Sequence, residues 1–440
     1  MAVVGIVAWG AYLPRRSALK RPEPDAVARS AAAWDEDSFT LALEAGRRSL
    51  EMHAGRDGRE IDSVFLTRAG DGFEAGDRAL VMALGLGEAV RIVALPPGAD
   101  GPADALELAL DQVETGRAGA ALVLGASCGA AEGDGAAALV ASGDPLVLLE
   151  GRARVNLSFL WAGGPDGVLA PARYDQREVV GPGLRSAVDR ALGADTGVDH
   201  WSLSSPDGYD VARGLGFGPS PLGGDRPYSY APGADYLLRL VELVAAAKEG
   251  DRMLAVNVGE RAVASVWRAV AGGLEGSALA EGAETLDYAA HTLERRRREL
   301  EPGRVIDAMD YVREADRVLR HEGSRCTSCD RITVRSRTTS GTATELGRCD
   351  ACGAGVEPVA LARRATLRAL TRSYLTPEER GAPTTHVVCD IDGGGRLMTE
   401  LAGGESDDVE IGARVTLTLR RGYREHGRAI YFWKAVPHGD

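Results

Sequence analysis

The chain has 440 residues, 45% of them hydrophobic, enough to fill two or three ordinary globular cores. Its formal charge of -13 argues against a nucleic-acid backbone as partner, because phosphate binders present a basic face. The sequence shows neither an apolar run of about 18 residues nor a basic-then-apolar leader, so no membrane and no export are expected and the protein reads as cytoplasmic.

Arginine outnumbers lysine so heavily that Schiff-base chemistry is left with Lys20, Lys248 and Lys434, none of them in a promising place. Along the first 300 residues, helix-like segments alternate with short apolar strands, the signature of a layered α/β sheet. "DSFTLALEAGRRSLEMH" predicts a helix and "RIVAL" a strand. "VALPPGADGPADAL" then reads as the end of a strand, a tight turn and the first turn of a helix. Such a junction offers free N–H groups and a positive helix end to an anion. Here the turn carries only Pro96, Pro97, Gly98 and Ala99, so the platform lacks a nucleophile. Asp100 and Asp104, at the helix start, are expected to satisfy free N–H groups and the helix dipole, and they would raise the pKa of a thiol placed there. In "GPADALELALDQVETG", Leu106, Leu110 and Val113 share one helix face. "GAALVLGAS" is the next strand, and Cys128 beyond it reads as a small buried or loop residue.

The region appears twice. "DSFTLALEAGRRSL" followed by "IDSVFLTRAGDG" has the grammar of "GPGLRSAVDRALG" followed by "VDHWSLSSPDG", which implies duplication. A polar connecting helix follows, and its run Arg295 to Arg298, flanked by Glu294 and Glu299, reads as a solvated face. Next comes "CTSCDRITVRSRTTSGTATELGRCDAC". Cys326, Cys329, Cys349 and Cys352 form two CxxC pairs separated by enough chain for a hairpin, which fits one tetrahedral Zn2+. Four thiolates leave no open coordination position, so the zinc is expected to be structural. After it, "THVVCDIDGG", "RLMTELAG", "ARVTLTLRRG" and "RAIYFWKAV" predict a small closed barrel with Cys389 in its core.

"GIVAWGAYLPRRSALKR", "AWDEDSFTLALEAGRRSL" and "LDYAAHTLERRRREL" resemble the start, first helix and closing helix of the archaeal-type hydroxymethylglutaryl-CoA synthases of the thiolase superfamily. From about residue 305, the ribbon, the barrel and "GGGRLMTELAG" resemble the zinc-ribbon/OB-fold proteins that accompany thiolases as acyl-CoA-handling subunits. The resemblance implies an α/β fold, a thiolase-like αβαβα core of two similar halves, then a rubredoxin-like zinc ribbon and an OB-fold β-barrel. The corresponding segments are a first half over 1–165, a second half over 166–303, a connecting helix over 304–325, the ribbon over 326–355 and the barrel over 356–440.

Such synthases use a cysteine to take the acetyl group, a glutamate to manage the proton of the attacking carbon and a histidine to support the oxyanion. The resemblance places these roles at Gly98, Ala69 and Ser204, none of which can perform them. His200 precedes its strand, Asp71 and Glu74 read as turn carboxylates, and Glu260 and Arg261 replace small residues of a Gly-rich loop. The expected function is therefore a non-catalytic scaffold or acyl-CoA-binding subunit, with a coenzyme A thioester as ligand. It would work with a thiolase-type catalytic protein, in a homo- or hetero-oligomer, to make or break carbon–carbon bonds. The alternative is an active aldolase, retro-aldolase or acyltransferase using other residues, with Asp207 and Tyr209 beside Ser204 as the clustered candidates.

Overall fold

The computed structural model describes residues 3–18, 28–55, 59–70, 76–129, 133–157, 161–163, 169–171, 181–205, 231–271, 284–292, 315–334, 348–374, 384–403, 409–425 and 428–437. They belong to two compact units. One comprises Met1–Ala32, Asp37–Phe73 and Leu86–His291; the other comprises Ala33–Glu36, Glu74–Gly85 and Thr292–Asp440.

The first unit is built on nine strands: β1 (Gly5–Tyr12), β2 (Ser63–Gly70), β3 (Arg91–Ala94), β4 (Ala120–Cys128), β5 (Gly135–Ser142), β6 (Val147–Asn156), β7 (His200–Ser204), β8 (Arg252–Val258) and β9 (Arg261–Ala269). Their order is β7-β8-β9-β6-β1-β5-β4-β2-β3. The pairing repeats itself. In the run β2-β4-β5-β1 the contacts are parallel, antiparallel, antiparallel, and in β7-β8-β9-β6 they are the same. The two sets join where Gly5 and Ile6 of β1 meet Leu148 and Val147 of β6. In this pattern β6 occupies the place of β1.

Helices complete the repeat. Helix α1 (Ser38–Ala54) lies between β1 and β2 in the chain, and α4 (Gly181–Leu192) between β6 and β7. Helix α3 (Gly101–Glu114) lies between β2 and β4, and α5 (Asp235–Ala246) between β7 and β8. The helix α2 (Asp77–Ala83) belongs to the other unit.

Alternation along each strand decides which helix it meets. Gly10 of β1 faces α1, where a Cβ would come within 2.6 Å of the Ala45 carbonyl. Its neighbours Trp9 and Ala11 face the cluster formed by α3 and α5. In β8, Leu254 and Val256 pack with Leu184 and Val188 of α4, whereas Met253 and Ala255 join the α3 and α5 cluster. The layers therefore run α1, first strand set, α3 with α5, second strand set, α4. This is the five-layered thiolase-like arrangement.

Local signals account for the helix starts. Asp37 caps α1, its carboxylate accepting from the Thr40 N–H at 2.9 Å while Thr40 Oγ1 accepts from the Asp37 N–H at 2.9 Å. Helix α3 has Pro102 in its first turn and begins hard against β2: a Cβ on Gly101 would lie 2.5 Å from Thr67 Oγ1. Leu106, Leu110 and Val113 are buried, and each such side chain contributes about 1.5 to 3 kcal/mol.

In the second unit, β10 (Glu322–Cys326), β11 (Ile332–Thr333) and β12 (Val356–Ala360) form an antiparallel sheet in the order β11-β10-β12. A helix over 315–320 leads into β10, and the chain leaving the second cysteine pair returns as β12 alongside β10. The barrel consists of β13 (Arg364–Ser373), β14 (Thr384–Ile391), β15 (Arg396–Glu400), β16 (Arg414–Glu425) and β17 (Arg428–Pro437), in the order β15-β14-β13-β16-β17. Past the end of β15 the Ala402 N–H donates to Ala435 of β17 at 2.9 Å, which brings the two edge strands together.

The same unit buries a charged cluster. Lys434 of β17 is 1% exposed, 2.9 Å from Asp35 and 3.3 Å from Glu400, with the Trp34 ring 4.4 Å away. Asp35 also accepts from the Gly403 N–H at 2.8 Å, and Arg420 pairs with Glu36. Burial opposes ionisation of Asp35, yet Lys434 and Arg420 hold its carboxyl below the usual aspartate range.

Candidate functional site

The turn between β3 and α3 is the junction singled out from sequence. Gly98 has φ +149°, a conformation L side chains rarely adopt, and no described residue comes within 4 Å of where its Cβ would lie. The turn itself is made of Pro96, Pro97, Gly98 and Ala99. Ala69, near the end of β2, is buried beside Ser127 of β4, and its carbonyl accepts from Ser38 Oγ at 3.2 Å. Gly233 presses on it so closely that a Cβ would lie 2.6 Å from the Ala69 nitrogen. Ser204 ends β7 in parallel register with Asn257 of β8.

Asp100 connects these positions. It precedes α3 but makes no side-chain cap, contrary to the sequence expectation. Its carboxylate instead crosses to the second repeat. Oδ1 accepts from Asn257 Nδ2 at 3.3 Å, and Oδ2 accepts from the Glu260 N–H at 3.0 Å and from Arg261 Nε at 3.4 Å. Arg261 also donates to Asp104. A helix start offers an aspartate at most a few N–H groups, whereas here a guanidinium, an amide and an N–H converge, so the distant partners win. Residues two positions after Gly98 and one strand across from Ser204 thus meet in one polar cluster.

Its electrostatics are uneven. Burial pushes the Asp100 carboxyl up to about 6; Arg261 pulls against that shift and the Asp104 carboxylate adds to it. Asn257 is 0% exposed and its Oδ1 has no hydrogen-bond partner. Asn257 was not singled out from sequence. Its pattern, one polar residue in "MLAVNV", was the available signal.

Other candidates separate from this place. His200 begins β7, four residues and roughly 13 Å from Ser204, and its Nε2 lies 3.1 Å from Asp251. Cys128 ends β4 with no exposure, as its small-residue reading expects, and Cys389 is buried in β14, where burial pushes its thiol up to about 11. Asp71, Glu74, Asp207, Tyr209 and Arg295 to Arg298 lie outside the described residues.

In the second unit the four cysteines do converge, with sulfur atoms all within 4.8 Å of one another. Cys326 lies 3.5 Å from Cys352, and Cys329 lies 3.6 Å from Cys349 and 3.7 Å from Cys352. Four sulfurs about 2.3 Å from one ion would stand about 3.8 Å apart, so the donor set fits a tetrahedral metal. The Ser328 and Cys329 N–H groups each donate to Cys326 Sγ at 3.4 Å, which stabilises a thiolate.

Comparison with known proteins agrees with this architecture. A family model described as the ChsH2 C-terminal OB-fold domain matches residues 358–420. The hydroxymethylglutaryl-CoA synthase of Pyrobaculum aerophilum is 31% identical over 137 residues, covering 27% of this chain and 38% of the relative. The chain therefore matches well under half the length of that curated relative. Among solved structures, PksG, an HMG-CoA synthase from Bacillus subtilus, superposes with a TM-score of 0.53 at 13% identity, over 68% of this chain and 89% of that one. OleA of Xanthomonas campestris, with bound lauric acid and lauroyl-CoA, superposes with a TM-score of 0.51 at 14% identity, over 60% of this chain and 99% of that one. The chain resembles hydroxymethylglutaryl-CoA synthases, has a thiolase-like α/β fold and carries a C-terminal OB-fold. Among the described residues, no helix is long and apolar enough to cross a membrane.

Proposed function

We propose that this chain is a thiolase-fold protein that binds a coenzyme A thioester without forming a covalent acyl intermediate. It works beside a separate thiolase-type catalytic protein in making or breaking a carbon–carbon bond next to the thioester. One observation carries the reading: at the β3–α3 junction no described residue lies within 4 Å of where a Gly98 Cβ would stand, and two residues on, the Asp100 carboxylate is tied to Arg261. A carboxylate beside Asp104 repels a developing thiolate or enolate, the reverse of what acyl transfer needs. Removing members of a catalytic set of this kind costs on the order of 10⁴ to 10⁶ in rate. The acyl-CoA ligand is supported by the fold shared with OleA, described with bound lauroyl-CoA.

The test is incubation with radiolabelled acetyl-CoA followed by denaturation. No label should remain on the chain, while equilibrium titration with acyl-CoA should show binding. Retained label would overturn the reading. A retro-aldol activity has one observation in its favour, a carboxyl that exchanges its proton near pH 6 at the junction. Cleavage of a β-hydroxyacyl-CoA by this chain alone, lost in Asp100→Asn, would replace the binding role with that one.

The four-cysteine cluster is assigned to one structural Zn2+, held by Cys326, Cys329, Cys349 and Cys352. Zinc supplies a closed tetrahedral tie between the two knuckles, and the ribbon strands β10, β11 and β12 depend on it. Metal analysis should give one zinc per chain, and Cys349→Ser should lower it.

A further inference from the structure

We propose that Asn257 Nδ2, the Glu260 N–H and the Arg261 guanidinium form a receptor for a small carboxylate, which Asp100 fills from within the same chain. The donors come from the end of β8, the turn after it and the start of β9, so the receptor is a feature of the second repeat. Asp100 enters it from the first repeat.

The seat is shaped for a carboxylate. A Cβ on Gly259 would fall 2.1 Å from Asp100 Oδ1, 2.6 Å from its Cγ and 3.0 Å from its Oδ2, so all three carboxyl atoms lie over a bare backbone. Both oxygens receive donors. Asn257, fully buried, leaves its own Oδ1 without a partner while presenting Nδ2 to the seat. An amide buried with half its capacity unmet costs free energy, and its orientation here serves the anion. The occupant is accessible: the Asp100 side chain is 12% exposed and the space beside Gly98 is open.

Charge completes the case. The groups facing Asp100 are Asp104 from its own helix, and Asn257, the Glu260 N–H and Arg261 from the second repeat. Protonation of Asp100, favoured by burial and by Asp104, weakens its hold on Arg261 and frees the donors. An outside carboxylate with an ordinary pKa stays ionised at a pH where Asp100 is already neutral, so it takes the seat in exchange. With the Asp100 carboxyl at about 6, roughly one molecule in thirty carries it neutral at pH 7.5 and about three in four at pH 5.5. Acetate should therefore bind wild type more than tenfold tighter at pH 5.5 than at pH 7.5.

The experiment titrates acetate into the full chain, read by calorimetry and by ligand NMR. Asp100→Ala should bind acetate at pH 7.5 about thirtyfold tighter than wild type, and acetate should raise its melting temperature. Adding Gly259→Ala to that variant places a methyl group in the seat and should abolish binding. Equal, weak acetate binding by folded wild type and folded Asp100→Ala overturns the proposal, as does a double variant that binds as well as the single one. Should Asp100→Ala not fold, the wild-type pH series decides, and acetate affinity unchanged between pH 7.5 and 5.5 overturns it. The receptor stands apart from the acyl-CoA reading: acetate binding without thioester affinity keeps the first and removes the second, and the opposite result does the reverse.

Discussion

Asp35, fully buried, and Asp100, half-buried, both lie near an arginine, and their carboxyls move in opposite directions. Asp35 meets Lys434, Arg420 and the Gly403 N–H, and its charge is held below the ordinary range. Asp100 shares its arginine with a second carboxylate, Asp104, and rises to about 6. Burial pushes both carboxyls up; Lys434 and Arg420 together outweigh it at Asp35, whereas Arg261 alone does not at Asp100. The Asp35 cluster is a fixed structural tie. The Asp100 cluster is poised for exchange.

The largest effect should come from breaking the tie. Lys434→Met leaves Asp35 buried beside Glu400 without its nearest cation and should destabilise the chain by about 3 to 5 kcal/mol, measured by denaturant unfolding. Asp100→Asn should have the opposite sign. The folded chain holds the Asp100 proton to higher pH than the unfolded chain does. Its contribution to stability is then full below pH 3.8 and lost as pH rises through about 6. The amide should thus stabilise by about 1 to 2 kcal/mol at pH 7.5 and by almost nothing at pH 4, which melting temperatures against pH would show. Asp35 works the other way: its contribution is present above pH 3.8 and fades below it, so Lys434→Met should flatten the acid limb of the same profile. The smallest effect belongs to His200→Ala. Its pair with Asp251 is partly exposed, and its loss should cost less than about 1 kcal/mol and leave acetate binding unchanged.

Much of the fold was legible because its signals are local. The helical segment "DSFTLALEAGRRSLEMH", the i, i+4, i+7 face of α3 and the paired cysteines each lie within a few turns of chain. Strand β13 was not recognised, since Arg364, Arg368 and Arg372 interrupt the alternation carried by Ala365 and Leu367. The strand-to-helix turn around Gly98 was also readable. The partners of Asp100 were not: it lies 157 residues from Asn257 and 161 from Arg261, and nothing beside it in sequence announces either one. Local reasoning assigned it to the helix start. Asp35 and Lys434, 399 residues apart, were hidden for the same reason, although a lysine inside "AIYFWKAV" is a polar residue in an apolar run.

The seam between the two strand sets has a consequence for how the chain can be cut. Gly5 and Ile6 meet Leu148 and Val147, flanked by hydrogen bonds from Leu146 to Ile6 and from Leu149 to Val4, while α5 packs against strands of both sets. A nick in the short connection between Ser142 and Val147 would sever little hydrogen bonding and leave a large apolar face on each fragment. Co-expressed, the two pieces should find each other and reassemble, whereas either piece alone should aggregate.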